Sequence, residues 1–270
     1  MLLPVVLVLS VMLAVELVAQ HPVIGESSPI APEIKTYDYP GVFVGIPIVV
    51  QQGEYRDTCQ CPPFHGGSGS GLTAGVFYEL RAPERPLFRL GIAGSVDYRS
   101  IVSRYREQEL LTFRSRDGSA QYAGIPVEFR QQLDLTLFGI HALPYVRTMP
   151  FGSESVALMT GAQLGVWFLG KARHTKSLTQ TTVRLPNGEQ VELQMSNGGT
   201  SAVVRDGDVL GMQRFAANVF LRVEASVELW SSWHFRPGVQ YSIPLTDFST
   251  SGGTKLATWF VTLSFARQSR

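Results

Sequence analysis

Apolar side chains recur at every second position through most of this chain, in runs long enough to cross a lipid bilayer. In Leu256–Phe265, Ala257, Trp259, Val261, Leu263 and Phe265 fall on one face, and Leu256, Thr258, Phe260, Thr262 and Ser264 on the other. A tilted membrane-crossing strand needs about 9–11 residues, whereas a strand in a soluble domain usually has about five or six. The same alternation runs through Phe215–Leu229. There Phe215, Ala217, Val219, Leu221, Val223, Ala225, Val227 and Leu229 oppose Asn218, Arg222, Glu224, Ser226 and Glu228. Phe235–Phe248 sets Phe235, Val239, Tyr241, Ile243 and Leu245 against Arg236, Gln240, Ser242 and Thr246.

Five further segments repeat it. Ser155–Gly170 carries Leu158, Ala162, Leu164, Val166 and Phe168 on its apolar face. In Gln131–Arg147 the apolar set is Leu133, Leu135, Leu137, Leu143 and Tyr145, with Asp134 and Thr136 opposite. Leu87–Arg99 opposes Phe88, Leu90, Ile92, Val96 and Tyr98 to Arg89, Ser95, Asp97 and Arg99. Leu72–Leu80 opposes Leu72, Ala74, Val76, Tyr78 and Leu80 to Thr73, Glu79 and Arg81, and Val42, Val44, Ile46, Ile48 and Val50 make a first strand. Short connections at 82–86, 150–154 and 230–234 alternate with long ones near 51–70, 100–130 and 171–213, and a moderate one closes the series. Apolar faces outward and polar faces inward, with short turns at one rim and long loops at the other, predict an all-β, antiparallel, up-and-down transmembrane barrel of eight strands. Thr181–Leu185 and Glu189–Leu193 flank Asn187-Gly188, and Leu110–Ser115 and Ser119–Tyr122 flank Asp117-Gly118. These are hairpin signals, expected as β-ribbons above the bilayer; a ribbon that joined the wall would make ten strands.

Three stretches carry a family resemblance: Trp259-Phe-Val-Thr-Leu-Ser-Phe265, the glycine-rich Gly66–Gly71, and Pro237-Gly-Val-Gln-Tyr-Ser-Ile-Pro-Leu-Thr-Asp247. On them, residues 41 to 267 resemble the small bacterial outer-membrane β-barrels of the OmpA and OmpX type. Ala266–Arg270 run past the final aromatic, a departure from barrels that end on it. The resemblance implies residence in the bacterial outer membrane, contact with its lipid and lipopolysaccharide, and insertion by the barrel-assembly machinery. It implies a structural, adhesive or weakly porin-like role and brings no catalytic motif. It also admits a lipid-modifying enzyme, and a soluble periplasmic lipocalin-like binder would result if the two faces were exchanged.

Composition agrees with membrane residence. The charged fraction is 17%, below the ~25% of soluble proteins, and a net charge of +1 gives no basis for binding nucleic acid. Leu2–Val18 is apolar apart from Ser10 and Glu16, and residues 1–19 read as a signal peptide that lacks a positive start. Residues 20–40, with Pro22, Pro29, Pro32 and Pro40, read as a flexible periplasmic lead-in to a barrel domain over 41–270.

Candidate chemistry is sparse. The inward set contains Glu79, Arg81, Arg89, Asp97, Arg99, Asp134, Arg222, Glu224, Glu228 and Arg236, a near balance of acids and arginines. An eight-stranded barrel is only wide enough for its side chains, so these charges are expected to pair into a plug. Arg104, Arg106, Arg114 and Arg116 lie in one long loop and could contact surface phosphates. Cys59 and Cys61 supply too few ligands for a metal but could form a loop disulfide. His141 with Ser95 or Thr136, and His234 with Ser231 or Ser232, are the conceivable nucleophile pairs, and no Gly-x-Ser-x-Gly signature accompanies them. The expectation is a protein with no enzyme activity and no cofactor.

Overall fold

The computed structural model describes residues 38–57, 61–81, 87–114, 120–195, 197–230 and 232–269, with only the backbone of Trp230. The signal segment and nearly all of the lead-in lie outside these residues. The strands are β1 (Asp38–Gln52), β2 (Gly67–Arg81), β3 (Phe88–Arg114), β4 (Gln121–Thr148), β5 (Val156–Leu178), β6 (Thr182–Arg184), β7 (Gln190–Glu192), β8 (Ser201–Asp208), β9 (Phe215–Ala225), β10 (Val227–Trp230), β11 (Trp233–Pro244) and β12 (Lys255–Arg267).

Neighbouring strands pair antiparallel from β1 through β5, β5 pairs β9, β9 pairs β11, β11 pairs β12, and β12 returns to β1. With β10 continuing β9 past a break at Ser226, this is a closed ring of eight. Closure leaves no unpaired sheet edge within the bilayer, where an unsatisfied backbone group would cost several kcal/mol. The terminal strand performs it: Val42 faces Phe265 and Val50 faces Ala257 across the seam.

The outer face is apolar where the chain must meet lipid. Val42, Ile46, Val76, Leu90, Ile92, Phe168, Leu221 and Trp259 are all exposed, Val76 by 62%. A soluble monomer rarely leaves so continuous an apolar surface open. The inner face interleaves apolar layers with charge. Phe43, Phe77, Leu143, Tyr145, Met159 and Phe220 pack in one layer, and Val49, Ile101, Leu133, Leu135, Leu137 and Trp167 in another.

One strand is reversed relative to the sequence reading. Leu133, Leu135 and Leu137 are fully buried, and Leu143 and Tyr145 also point inward, whereas Gln132, Asp134 and Thr136 face out. The solvent changes along this strand: Phe138 and Ile140 meet lipid, but above them the outer face meets water. Burial then draws the apolar residues inward, as in a soluble sheet. A bulge where Phe138 and Gly139 face Leu169 and Trp167 puts Phe168 and Leu169 both outside and reverses the parity of β5 above it.

β3 and β4 have 27 and 28 residues, well beyond the ~9–11 that a crossing needs. Their upper halves, with the end of β5 and with β8, form a four-stranded sheet that stands above the barrel. β6 and β7 make a hairpin on Pro186-Asn187-Gly188, with Gly188 at φ +87°, a conformation glycine reaches without cost. Leu193, Val183 and Met195 pack it against Val127 and Phe129 of the sheet. The expected ribbons are thus present, and neither enters the ring. Asp117-Gly118 lies outside the described residues.

Candidate functional site: the filled lumen and the projecting sheet

At the short-turn rim the lumen holds a dense charge cluster. Glu79 accepts from Arg236 Nη1 at 3.0 Å, Tyr145 Oη at 3.1 Å and Arg147 Nη1 at 3.3 Å, with Arg89 Nη1 at 3.5 Å. Arg147 also donates to Glu224 at 2.7 Å, and Arg222 pairs with the same carboxylate. Arg89 pairs with Glu154 in the turn before β5, and its guanidinium lies 3.8 Å over the ring of Tyr39. Burial works against the Glu154 carboxylate, yet the Arg89 guanidinium beside it holds its carboxyl below the ordinary value. Four buried arginines therefore surround three carboxylates: Glu79 serves three of them, Glu224 two and Glu154 one.

Higher in the lumen, Asp97 accepts from Arg99 Nη2 at 2.8 Å, and Arg99 Nη1 donates to Thr258 Oγ1 at 3.0 Å. His141 lies 3.3 Å from Asp97 and edge-on to Trp167. At the loop end Tyr55 and Phe64, paired across the first long connection, are fully buried over the barrel mouth. There His174 bridges Asp57 at 2.9 Å and Gln131 at 2.9 Å, and Asp57 accepts from Arg205 at 2.6 Å. Gly69 and Gly71 let β2 lie close against β3: a side chain at either would strike the β3 backbone at Ser100 or Tyr98.

Of the anticipated lumen charges, Glu79, Arg89, Asp97, Arg99, Arg222, Glu224 and Arg236 are buried inside, and Arg81 is half-buried at the rim. Two are corrected. Asp134 faces outward, accepting from Gln132 at 3.0 Å, because β4 is reversed there. Glu228 is exposed: β5 pairing ends at Ala225, so β10 leans on β11 alone and has no wall behind it. Arg147, on the inner face of β4, and Tyr39 and Glu154 were missed, while Tyr145 and His141 were read on the outer face and are buried inside. Arg147, Tyr145 and His141 share the inner face of the reversed strand, where polar Gln131 of equal parity was the available signal.

His141 is sealed in the lumen; Ser95 faces it in register, and neither ring nitrogen makes a hydrogen bond among the described residues. Thr136 points away from it, outward. His234 is buried edge-on to Tyr39, and Ser231 lies outside the described residues. Cys61 is disulfide-bonded; the chain's other cysteine, Cys59, lies outside them, as does Arg116. Arg104, Arg106 and Arg114 are exposed on the outer face of the projecting sheet.

A closed antiparallel ring, apolar outward at bilayer length and charged inward, defines an integral β-barrel of the bacterial outer-membrane class. No family model and no curated protein matches the chain. Among solved structures it is similar to Ail of Yersinia pestis, in complex with the heparin analogue sucrose octasulfate, at 10% identity and TM-score 0.28 over 86% of this chain and 99% of that one. Neisserial surface protein A shares 12% identity at TM-score 0.31, over 84% and 96%. The outer membrane protease OmpT of Escherichia coli shares 7% at TM-score 0.30, over 90% and 99%. Such values transfer no residue, ligand or activity; the class rests on the chain's own ring and outer belt.

Proposed function

We propose that this protein is a non-conducting, non-enzymatic outer-membrane barrel with a structural or adhesive role, whose task is to hold a rigid β-sheet above the outer leaflet. The observation that carries this reading is the filled lumen. Between its charged and apolar layers, the void lined by Phe77, Glu79, Tyr145, Phe220 and Arg222 measures about 10 Å³, barely room for one water. A porin-like role would need a continuous aqueous path, and buried ion pairs of this density close it. The projecting sheet supports the adhesive side: above Ser103 β3 pairs with β4 alone, and β8 pairs with β5 alone among the described residues. Open backbone edges of this kind accept a further strand. Membrane lipid, lipopolysaccharide and, during insertion, the barrel-assembly machinery are its proposed partners.

Two measurements test the reading together. In planar bilayers the refolded protein should give no unitary conductance. In intact cells a Gln108→Cys variant should react with a membrane-impermeant maleimide. Stable conductance steps that change size in an Arg147→Ala variant would replace the reading with that of a narrow pore.

A further inference from the structure

The outer face of the projecting sheet carries charge that the fold itself does not balance. Strand register aligns its outward residues in rows. Nearest the bilayer, Thr136, Lys171 and Asp208 form one row, and Asp134, Arg173 and Asp206 the next. Both contain acid and base, with Lys171 and Asp208 2.7 Å apart. Above them the balance is lost. Arg104, Gln132, Thr175 and Val203 make one row, and Arg106, Arg130, Ser177 and Ser201 the next. Arg106 and Arg130 are directly opposite each other across the ladder, a like-charge arrangement that destabilises a sheet unless something compensates it.

Compensation within the chain is partial. Glu128 takes Arg106 at 3.2 Å, and Gln132 accepts from Arg104 at 2.8 Å. No carboxylate among the described residues lies within ion-pair distance of Arg130. Beside Arg130 the sheet is concave: a depression of about 370 Å³ is lined by Arg130, Gln132, Thr175, Ser177, Thr179 and Ser201. That volume lies in the range of small-molecule sites. Apart from Leu178 the lining is polar, with one free guanidinium, four hydroxyls and the Gln132 amide that bridges Arg104 and Asp134, and it suits a sugar that bears an anionic group. Arg130 stands eight residues above Phe138, the last lipid-facing residue of β4. At a rise of about 3.4 Å per residue and a tilt of about 45°, that is about 19 Å above the edge of the belt, in the polar zone.

We propose that this depression, with Arg130 in its lining and Arg104 and Arg106 beside it on β3, binds a phosphorylated or sulfated saccharide. The guanidinium fork matches either oxyanion, and two forks on one group would turn the Arg106–Arg130 repulsion into a clamp. The ligand chemistry has two sources, the headgroup sugars of an outer-leaflet glycolipid and a soluble anionic glycan. The inference rests on the proposed surface-exposed sheet, but binding in detergent does not depend on which way that sheet faces in a cell.

The test uses the full mature chain refolded in detergent, with two probes: a fluorescent sulfated heparin octasaccharide, and a phosphorylated lipopolysaccharide supplied in nanodiscs. Arg106→Gln/Arg130→Gln should weaken binding at least about tenfold, while Arg184→Gln, on the separate hairpin, should leave it unchanged. The unfolding midpoint of the double variant without ligand should equal or exceed that of the parent, because a repulsion is relieved. Loss of both probes supports a general anionic-sugar site, and loss of one supports the site and identifies its source. Equal affinity of the double variant and the parent for both probes, or no binding by the parent, overturns the inference. A lowered midpoint would assign the arginines to stability instead. Failure of the cell-labelling experiment alone would overturn the cell-surface orientation and leave the site standing.

Discussion

Replacing Glu79 by Gln probes the lumen most sharply, because the change is isosteric and removes one charge. Glu79 accepts three hydrogen bonds, from Tyr145, Arg147 and Arg236, and lies 3.5 Å from Arg89. Each bond to a charged group contributes about 1.5–3 kcal/mol, and the amide oxygen of Gln retains part of that. Removing one partner from a buried ion cluster costs about 3–5 kcal/mol, since the other charges stay behind without their counter-ion. Glu79 and its arginine partners are each about 1% exposed, so solvent screening is slight. A loss of about 4 kcal/mol, at an m-value of about 2 kcal/mol per molar urea, lowers the midpoint by about 2 M. The assay is reversible urea unfolding in lipid vesicles, followed by the gel shift between folded and heat-unfolded forms. Glu79→Met/Arg147→Met should cost less than the sum of its single changes, because it removes partners together. A loss below about 1 kcal/mol for Glu79→Gln at unchanged m would refute the dry, paired lumen and imply a water-filled one.

Three further changes test other parts of the account. Leu135→Asp should abolish refolding, since it buries an unpaired carboxylate, whereas Thr136→Leu, one residue on and facing outward, should refold with its midpoint within about 0.5 kcal/mol of the parent; equal tolerance of both would mean that β4 is not reversed. The Glu154 carboxyl is held below its ordinary value of 4.5 by Arg89, so its contribution is complete above that pH and is lost as pH falls through the lower folded value; the gap in unfolding midpoint between parent and Glu154→Gln should be open at pH 7 and narrow as the pH is taken below 4.5, and a gap independent of pH would rule out the ion pair. Gly165→Val should destabilise by about 1–3 kcal/mol, because a side chain there strikes the His141 ring; an unchanged midpoint would show that His141 is free to move.

The membrane-facing half of the fold was legible because lipid imposes one rule along each strand. Val42 to Val50, Leu72 to Leu80 and Trp259 to Phe265 all lie as their alternation requires. The rule failed on β4, where the facing read from its upper leucines was carried down into the membrane and misplaced Leu143 and Tyr145 as well. Above Phe138 the outer surface meets water, so Leu133, Leu135 and Leu137 turned inward and took Asp134 out of the lumen. That reversal also hid Arg147, which bridges Glu79 and Glu224. The bulge at Phe168 was equally invisible, because one inserted residue leaves the local apolar pattern intact. Strand register was what aligned Arg106 with Arg130; twenty-three residues separate them in the linear sequence, and the Asp117-Gly118 hairpin signal alone did not fix which residues face each other across it.

The central claim, a barrel with lipid outside and a dry interior, is tested most directly by fluorescence quenching of two single-tryptophan variants in vesicles. One retains only Trp259, which faces outward, and the other only Trp167, which is 4% exposed inside the lumen. Bromine-labelled acyl chains should quench Trp259 strongly, and neither those lipids nor aqueous acrylamide should quench Trp167. Acrylamide access to Trp167 would show an open lumen, and quenching of Trp259 by acrylamide but not by brominated lipid would show that the barrel is not in the membrane at all.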